Sequence, residues 1–315
     1  MTEIKDPQST PVVDDIVQPF QLDASNLRGR LVRLSDVSST ILDAHGYPPV
    51  VARLLGEALA LSAALSAFLK YDGVFTLQTS GEGPVRLLVC DITRSGDLRG
   101  AAQVDTAALE RLLRSLPPGT EPTLPQLTGK GYLAFTVDQG PETDRYQGIV
   151  PLEGATLDDC IHFYFEQSEQ IRAFVRLACR ETAPGVWRAG AVILQQLPPV
   201  APLSEIQLPT GDDRAESWTR ATTLLETCRA DELLSGELSA EMLLYRLFHE
   251  EGIRVYAPHT LQAQCRCSAA KVQSVLANIA PEERDTLAEA DGKIHAVCEF
   301  CRTEYLFDPE TLSQI

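Results

Sequence analysis

The chain has 315 residues, 44% hydrophobic and 23% charged, with a formal net charge of -17 and eight cysteines. Its length predicts two domains, or one with an appendage, and its composition excludes a wholly disordered, collagenous or low-complexity protein. Residues 1–210 carry 25 acids and 17 bases and residues 211–315 carry 19 and 10, so nucleic acid and anionic membrane, which both need a basic footprint, are not expected partners.

Residues 1–19 are polar and proline-bearing and read as a flexible tail. They lack the basic and apolar regions of a secretory signal, and no run reaches the roughly 18 apolar residues of a membrane span. A cytoplasmic location is therefore expected. LRGRLVRL, ending at Leu34, suits a strand. Residues 49–69 repeat apolar side chains at steps of three and four and predict a central core helix that begins at Pro49. VFTLQTSGEGPVRLLVCDI, residues 74–92, reads as a hairpin turning at Ser80 to Pro84. A helix is expected over 105–116, then strands at YLAFTVD and YQGIVPL separated by a polar turn, Gln139 to Arg145. Residues 156–180 read as one amphipathic helix with a Thr156/Asp159 cap, followed by a strand near 186–196. Hairpins without βαβ spacing predict an α+β domain.

Four prolines between 197 and 213 mark the domain boundary. Beyond it, Trp218, Ala221, Leu224, Leu225 and Cys228 fall on one face of a helix over 214–230. A second helix, capped by Ser239 and stopped by Gly252, presents Met242, Leu243, Leu247 and Phe248. Helices this amphipathic must bury that face on something else, permanently or conditionally. The expected organisation is a tail at 1–19, an α+β core domain at 20–211, an amphipathic helical linker at 212–252 and a small C-terminal domain at 253–315.

Cys90, Cys160, Cys179 and Cys228 stand singly in apolar or helical contexts and read as core residues. The other four form two pairs, Cys265-Arg266-Cys267 and Cys298-Glu299-Phe300-Cys301, separated by 30 residues. In a reducing compartment this is the pattern of a tetrathiolate zinc site. All four positions are sulfur, which leaves no open position for hydrolytic water, so the site is structural or a switch. The one-residue spacer and the resolving thiol next door in each pair favour a switch. A unit of about 60 residues has little core of its own and depends on the metal.

The text HEEGIRVY…QCRCS…CEFCRTEYLFD resembles the redox-switch domain of the Hsp33 family of bacterial holdase chaperones. The resemblance continues through LLGEALALSAALSAFLKYDGVFTLQTSGEGPVRLLVCD, YQGIVPLEG, YFEQSEQI and AGAVILQQLP, covering about Phe20 to Phe307. It implies a cytosolic, ATP-independent chaperone that is no enzyme and is silent while reduced and bound to one Zn2+ through Cys265, Cys267, Cys298 and Cys301. It also implies that peroxide with heat, or hypochlorite, joins Cys265 to Cys267 and Cys298 to Cys301, that zinc leaves, and that switch domain and linker unfold. The active form would be a homodimer that holds aggregation-prone clients. Trp218, Leu224, Leu225, Met242, Leu243, Leu247 and Phe248 are the expected client-binding residues. Ser268-Ala269-Ala270-Lys271 departs from the family's more charged stretch, and the tail is unmatched.

Two other classes compete with this reading. An enzyme would have to use Lys130 or His162, but GKG lacks a phosphate loop's spacing and the five histidines have no ligand spacing. A zinc-stabilised adaptor that never switches differs from the chaperone by keeping its metal under mild peroxide.

Overall fold

The computed structural model describes residues 2–3, 12–140, 146–166, 171–197 and 211–312. Residue 1 and residues 4–11 of the expected tail, residues 141–145 of the polar turn, the motif Gln167-Ser168-Glu169-Gln170 and the prolines of 198–210 lie outside the described residues. The chain divides into Met1–Ala263 and Gln264–Ile315.

The first unit runs β1 (Thr2–Glu3), β2 (Ile16–Leu22), β3 (Leu27–Leu34), α1 (Asp36–Asp43), α2 (Pro49–Ser66), β4 (Val74–Gly81), β5 (Val85–Thr93) and β6 (Asp97–Val104). It continues with α3 (Thr106–Ser115), α4 (Leu124–Thr128), β7 (Gly131–Asp138), β8 (Tyr146–Pro151), α5 (Leu157–Tyr164), β9 (Ala173–Ala183) and β10 (Val186–Gln196). Last come α6 (Gly211–Glu226), α7 (Ala230–Leu233), α8 (Ala240–Phe248), β11 (Ile253–Val255), β12 (His259–Thr260) and β13 (Gln262–Ala263). One sheet has the order β1-β11-β2-β3-β10-β9, with β12 on β2, and the other β13-β6-β5-β4-β7-β8. The expected α+β class holds.

Helix α2 explains how the sheets share a core. It is long and apolar enough to cross a bilayer by length and composition, yet it packs on both sheets and its Leu55, Leu59 and Leu61 are fully buried. Pro49 starts it where a missing N–H costs nothing. Gly56 is required in its second turn, because an added Cβ would sit 2.3 Å from Cys179 Sγ.

Three expectations need correction. Residues 156–180 are not one helix. The capping box of Thr156 and Asp159 does start α5, but α5 ends at Tyr164 and Ala173–Ala183 is a strand paired along β10. Within AFVRLACRETA, Val175 and Cys179 face α2 while Phe174 and Ala178 face the other way, a period of two that the ladder to β10 enforces. Within the expected tail, Thr2–Glu3 pairs with β11 and β2 begins at Ile16 with Ile16 and Val17 buried, so these residues belong to the first sheet. Asp15 before β2 caps α1 from a distance, accepting N–H bonds from Ser35 at 2.8 Å and Val37 at 3.1 Å. The boundary before the last unit falls at Gln264 rather than 253, because β11, β12 and β13 add to the edges of the first unit's sheets.

The linker helices belong to this first unit. Leu225, Cys228, Leu233, Leu243, Leu244 and Phe248 cover the face of the first sheet opposite α2, meeting Phe20, Leu22, Leu27, Leu31 and Val192. Phe248 stacks on Phe20 with centroids 5.9 Å apart. Ser239 caps α8 by accepting from Met242 N–H at 3.1 Å, and Gly252 stops the helical run in the left-handed region. Glu251, 3% exposed, ties the end down through Arg220 and Ser25.

The second unit has α9 (Ala269–Ala277), α10 (Pro281–Thr286), the hairpin β14 (Ile294–Val297) and β15 (Glu304–Phe307), and α11 (Pro309–Leu312). Among its described residues the apolar core is only Leu276, Ile294 and Leu312, with Val272, Ile279 and Phe307 beside them. Arg284 is buried here with Nε and Nη1 unpartnered, a further cost on a small core.

Candidate metal centre

Two short loops build the site. Cys265 and Cys267 precede α9, whose N-cap Ser268 accepts from Lys271 N–H at 3.3 Å, and Lys271 Nζ reaches back to the Arg266 carbonyl at 2.7 Å. Cys298 and Cys301 lie on the turn joining β14 to β15. There Arg302 adopts φ 58°, Arg302 N–H donates to Cys298 O and Cys298 N–H to Thr303 O, both at 2.9 Å. The ladder from Ile294↔Phe307 to Val297↔Glu304 fixes the turn's register, and His295 braces it between Glu304 at 2.7 Å and Asp291 at 3.1 Å.

The four Sγ atoms all lie within 4.8 Å of one another. Cys265 is 3.7 Å from Cys298 and Cys267 is 3.4 Å from Cys301, and no disulfide joins any of the eight cysteines. A tetrahedral site with zinc–sulfur bonds of about 2.3 Å has edges of about 3.8 Å, so this donor set fits zinc. Electrostatics agree. Burial raises Cys298, and burial pushes Cys267 up to about 12 although the Tyr305 hydroxyl donates to its sulfur at 3.1 Å. Burial also raises Cys301, but Thr303 and the neighbouring thiols outweigh it and bring Cys301 down to about 6. Four ionised sulfurs so close together require a compensating positive charge.

The four cysteines singled out in the sequence are thus brought together. Tyr305 and Thr303 were missed: neither belongs to a ligand motif, and only the hairpin register puts their hydroxyls beside sulfur. The seven linker residues are gathered elsewhere, in the first unit. Leu225, Leu243, Leu247 and Phe248 are buried there and Trp218, Leu224 and Met242 half-buried. Cys90, Cys160, Cys179 and Cys228 are buried, and burial raises each thiol, Cys228 to about 11. His162 accepts from Val175 N–H at 2.8 Å in a packing role, and Lys130 is exposed beside a turn.

The family described as Hsp33 protein matches residues 15–308. A 33 kDa chaperonin of Caulobacter vibrioides is 39% identical over 312 residues, spanning 98% of this chain and 99% of its own length. One from Photorhabdus laumondii is 35% identical over 303 residues, 96% of each. The crystal structure of a 33 kDa chaperonin from Thermotoga maritima superposes with a TM-score of 0.76 at 22% identity, covering 96% of this chain and 97% of that one, and so shares the fold.

Proposed function

The chain belongs to the Hsp33 protein family, and from that premise we propose that it is a cytoplasmic, ATP-independent holdase chaperone governed by the redox state of Cys265, Cys267, Cys298 and Cys301. The observation that carries the reading is the thiol cluster itself: four sulfurs within 4.8 Å of one another, in a unit whose described apolar core has three buried side chains. Bound Zn2+ holds the sulfurs as thiolates and cross-links the two loops, which in small zinc peptides is worth on the order of 10–16 kcal/mol.

The chain's own residues supply the switch. A thiolate attacks peroxide, breaks the O–O bond and becomes a sulfenic acid as hydroxide departs. Its neighbour's thiolate then displaces a second hydroxide to form the disulfide, so each bond formed passes two electrons to one peroxide. Joining Cys265 to Cys267 and Cys298 to Cys301 consumes all four donors, and the small core cannot hold the unit folded alone. Cys265 follows by two positions the last residue of β13, which pairs with β6 of the second sheet, and β12 just before it pairs with β2 of the first, so disorder reaches both sheets through the covalent chain. The linker helices lift, and the faces bearing Trp218, Leu224, Leu225, Met242, Leu243, Leu247 and Phe248 receive unfolding clients, with the active chain as a homodimer. The expected result is that peroxide-treated protein suppresses thermal aggregation of a client at near-stoichiometric ratio while reduced protein does not. Equal activity in the two states contradicts the proposal.

A further inference from the structure

The sheet face covered by α6, α7 and α8 is not uniformly apolar. Arg180 and Arg188 stand directly opposite each other on β9 and β10, Arg176 is opposite Val192, and Arg33 of β3 is opposite Gly190. Opposite residues share a face, as do residues two apart on a strand, so all four arginines lie on the side that carries Ala178, Val192 and Leu194 into the linker core. Arg33 is 1% exposed; its Nη2 donates to the Glu232 carbonyl at 2.9 Å, its Nη1 donates to the Leu238 carbonyl, and its Nε is unpartnered. Arg188 donates to the Ser235 carbonyl at 3.3 Å and to Asp14 at 2.6 Å, Arg180 pairs with Asp231, and the charge of Arg176 acts on Cys228. The segment they grip, residues 229–241, has Asp231, Glu232, Glu237 and Glu241 against a single base, Arg229.

Apolar packing alone would be served better by a hydrophobic residue at position 33, since burying a guanidinium is costly unless its partners are well placed. What arginine adds is discrimination, because a basic segment laid on this face would bury like charges together. The cluster also offsets locally the repulsion that a chain of net charge -17 exerts on acidic partners. We propose that the uncovered face is a charge-selective docking surface for acidic amphipathic segments of client proteins, of which residues 229–248 of this chain are the built-in example. The proposal rests on the chaperone reading and adds a client class to it.

The test titrates full-length protein, reduced or peroxide-treated, with a fluorescent peptide of residues 229–248 and with the same peptide carrying Asp231→Asn, Glu232→Gln, Glu237→Gln and Glu241→Gln. Peroxide-treated protein is expected to bind the acidic peptide about tenfold more tightly, and reduced protein to bind it weakly. In a variant with Arg176→Gln and Arg180→Gln, both on the edge strand β9, the preference for the acidic peptide over its neutralised form is expected to vanish. Equal affinity for the two peptides overturns the proposal and leaves the chaperone reading standing, as does a preference unchanged in the double variant. Failure to bind either peptide, in protein that still suppresses aggregation, overturns it too. Loss of aggregation suppression from the peroxide-treated wild type defeats the chaperone reading, and the client class falls with it.

Discussion

At the metal centre two of the four sulfurs, those of Cys267 and Cys301, meet a hydroxyl. Tyr305 donates to Cys267 Sγ, and removing such a donor usually weakens metal binding about 10–100-fold. Tyr305→Phe should therefore lower zinc affinity by about tenfold in a chelator competition, with one metal still bound at saturation; unchanged affinity would show that the contact is idle. A second residue-scale prediction concerns Glu57 on α2. Burial holds its carboxyl up at about 8, helped by Asp158 and Glu121 and opposed by Arg53. A raised carboxyl gives its full contribution to stability below its ordinary value of 4.5 and loses it as pH rises through about 8. Glu57→Gln should flatten the fall in melting temperature of the first unit between about pH 6.5 and 8.5, a window above the value of about 6 at which burial sets Asp158. Parallel melting curves for variant and wild type would contradict the assignment. The sequence made the four cysteines legible because ligand spacing is local. Tyr305, Thr303 and Asp15 stayed hidden because their partners are set by a hairpin register and a distant helix start.

Among the elements, α2, the β4–β5 hairpin, α3 and α8 could be read from periodicity and caps, since each carries its own start and stop. Residues 173–183 could not. An alternating strand that follows a well-capped helix looks like its continuation until β10 supplies the ladder. The linker helices were legible as amphipathic, but not the surface they cover. Gly190 shows how closely they sit: a Cβ there would lie 2.8 Å from Leu233 Cγ. Gly190→Val should push α7 off the sheet without touching the thiols, so the reduced variant suppresses aggregation several-fold better than reduced wild type at equal zinc content. Wild-type inactivity in that variant would mean that α7 docking does not gate the client surface.

For the whole molecule, the division of labour follows from core size. The first unit buries a continuous core between two sheets, whereas the described part of the last 52 residues rests on three buried apolar side chains and a thiol cluster. On the proposed reading, stability supplied by metal on four oxidisable donors would be withdrawn by oxidation while the two sheets and α2 of the first unit stay folded. The acidic charge concentrated after residue 210 then falls on the segments expected to unfold, where it opposes self-association of the exposed apolar faces. One peroxide titration tests this directly, following zinc release with a metal-sensitive dye and client aggregation in the same samples. The account predicts that one zinc per chain is released in step with the gain of aggregation suppression, and that neither change occurs when Cys265, Cys267, Cys298 and Cys301 are all serine. Release of zinc with no gain in activity, or activity that is constant across the titration, would contradict it.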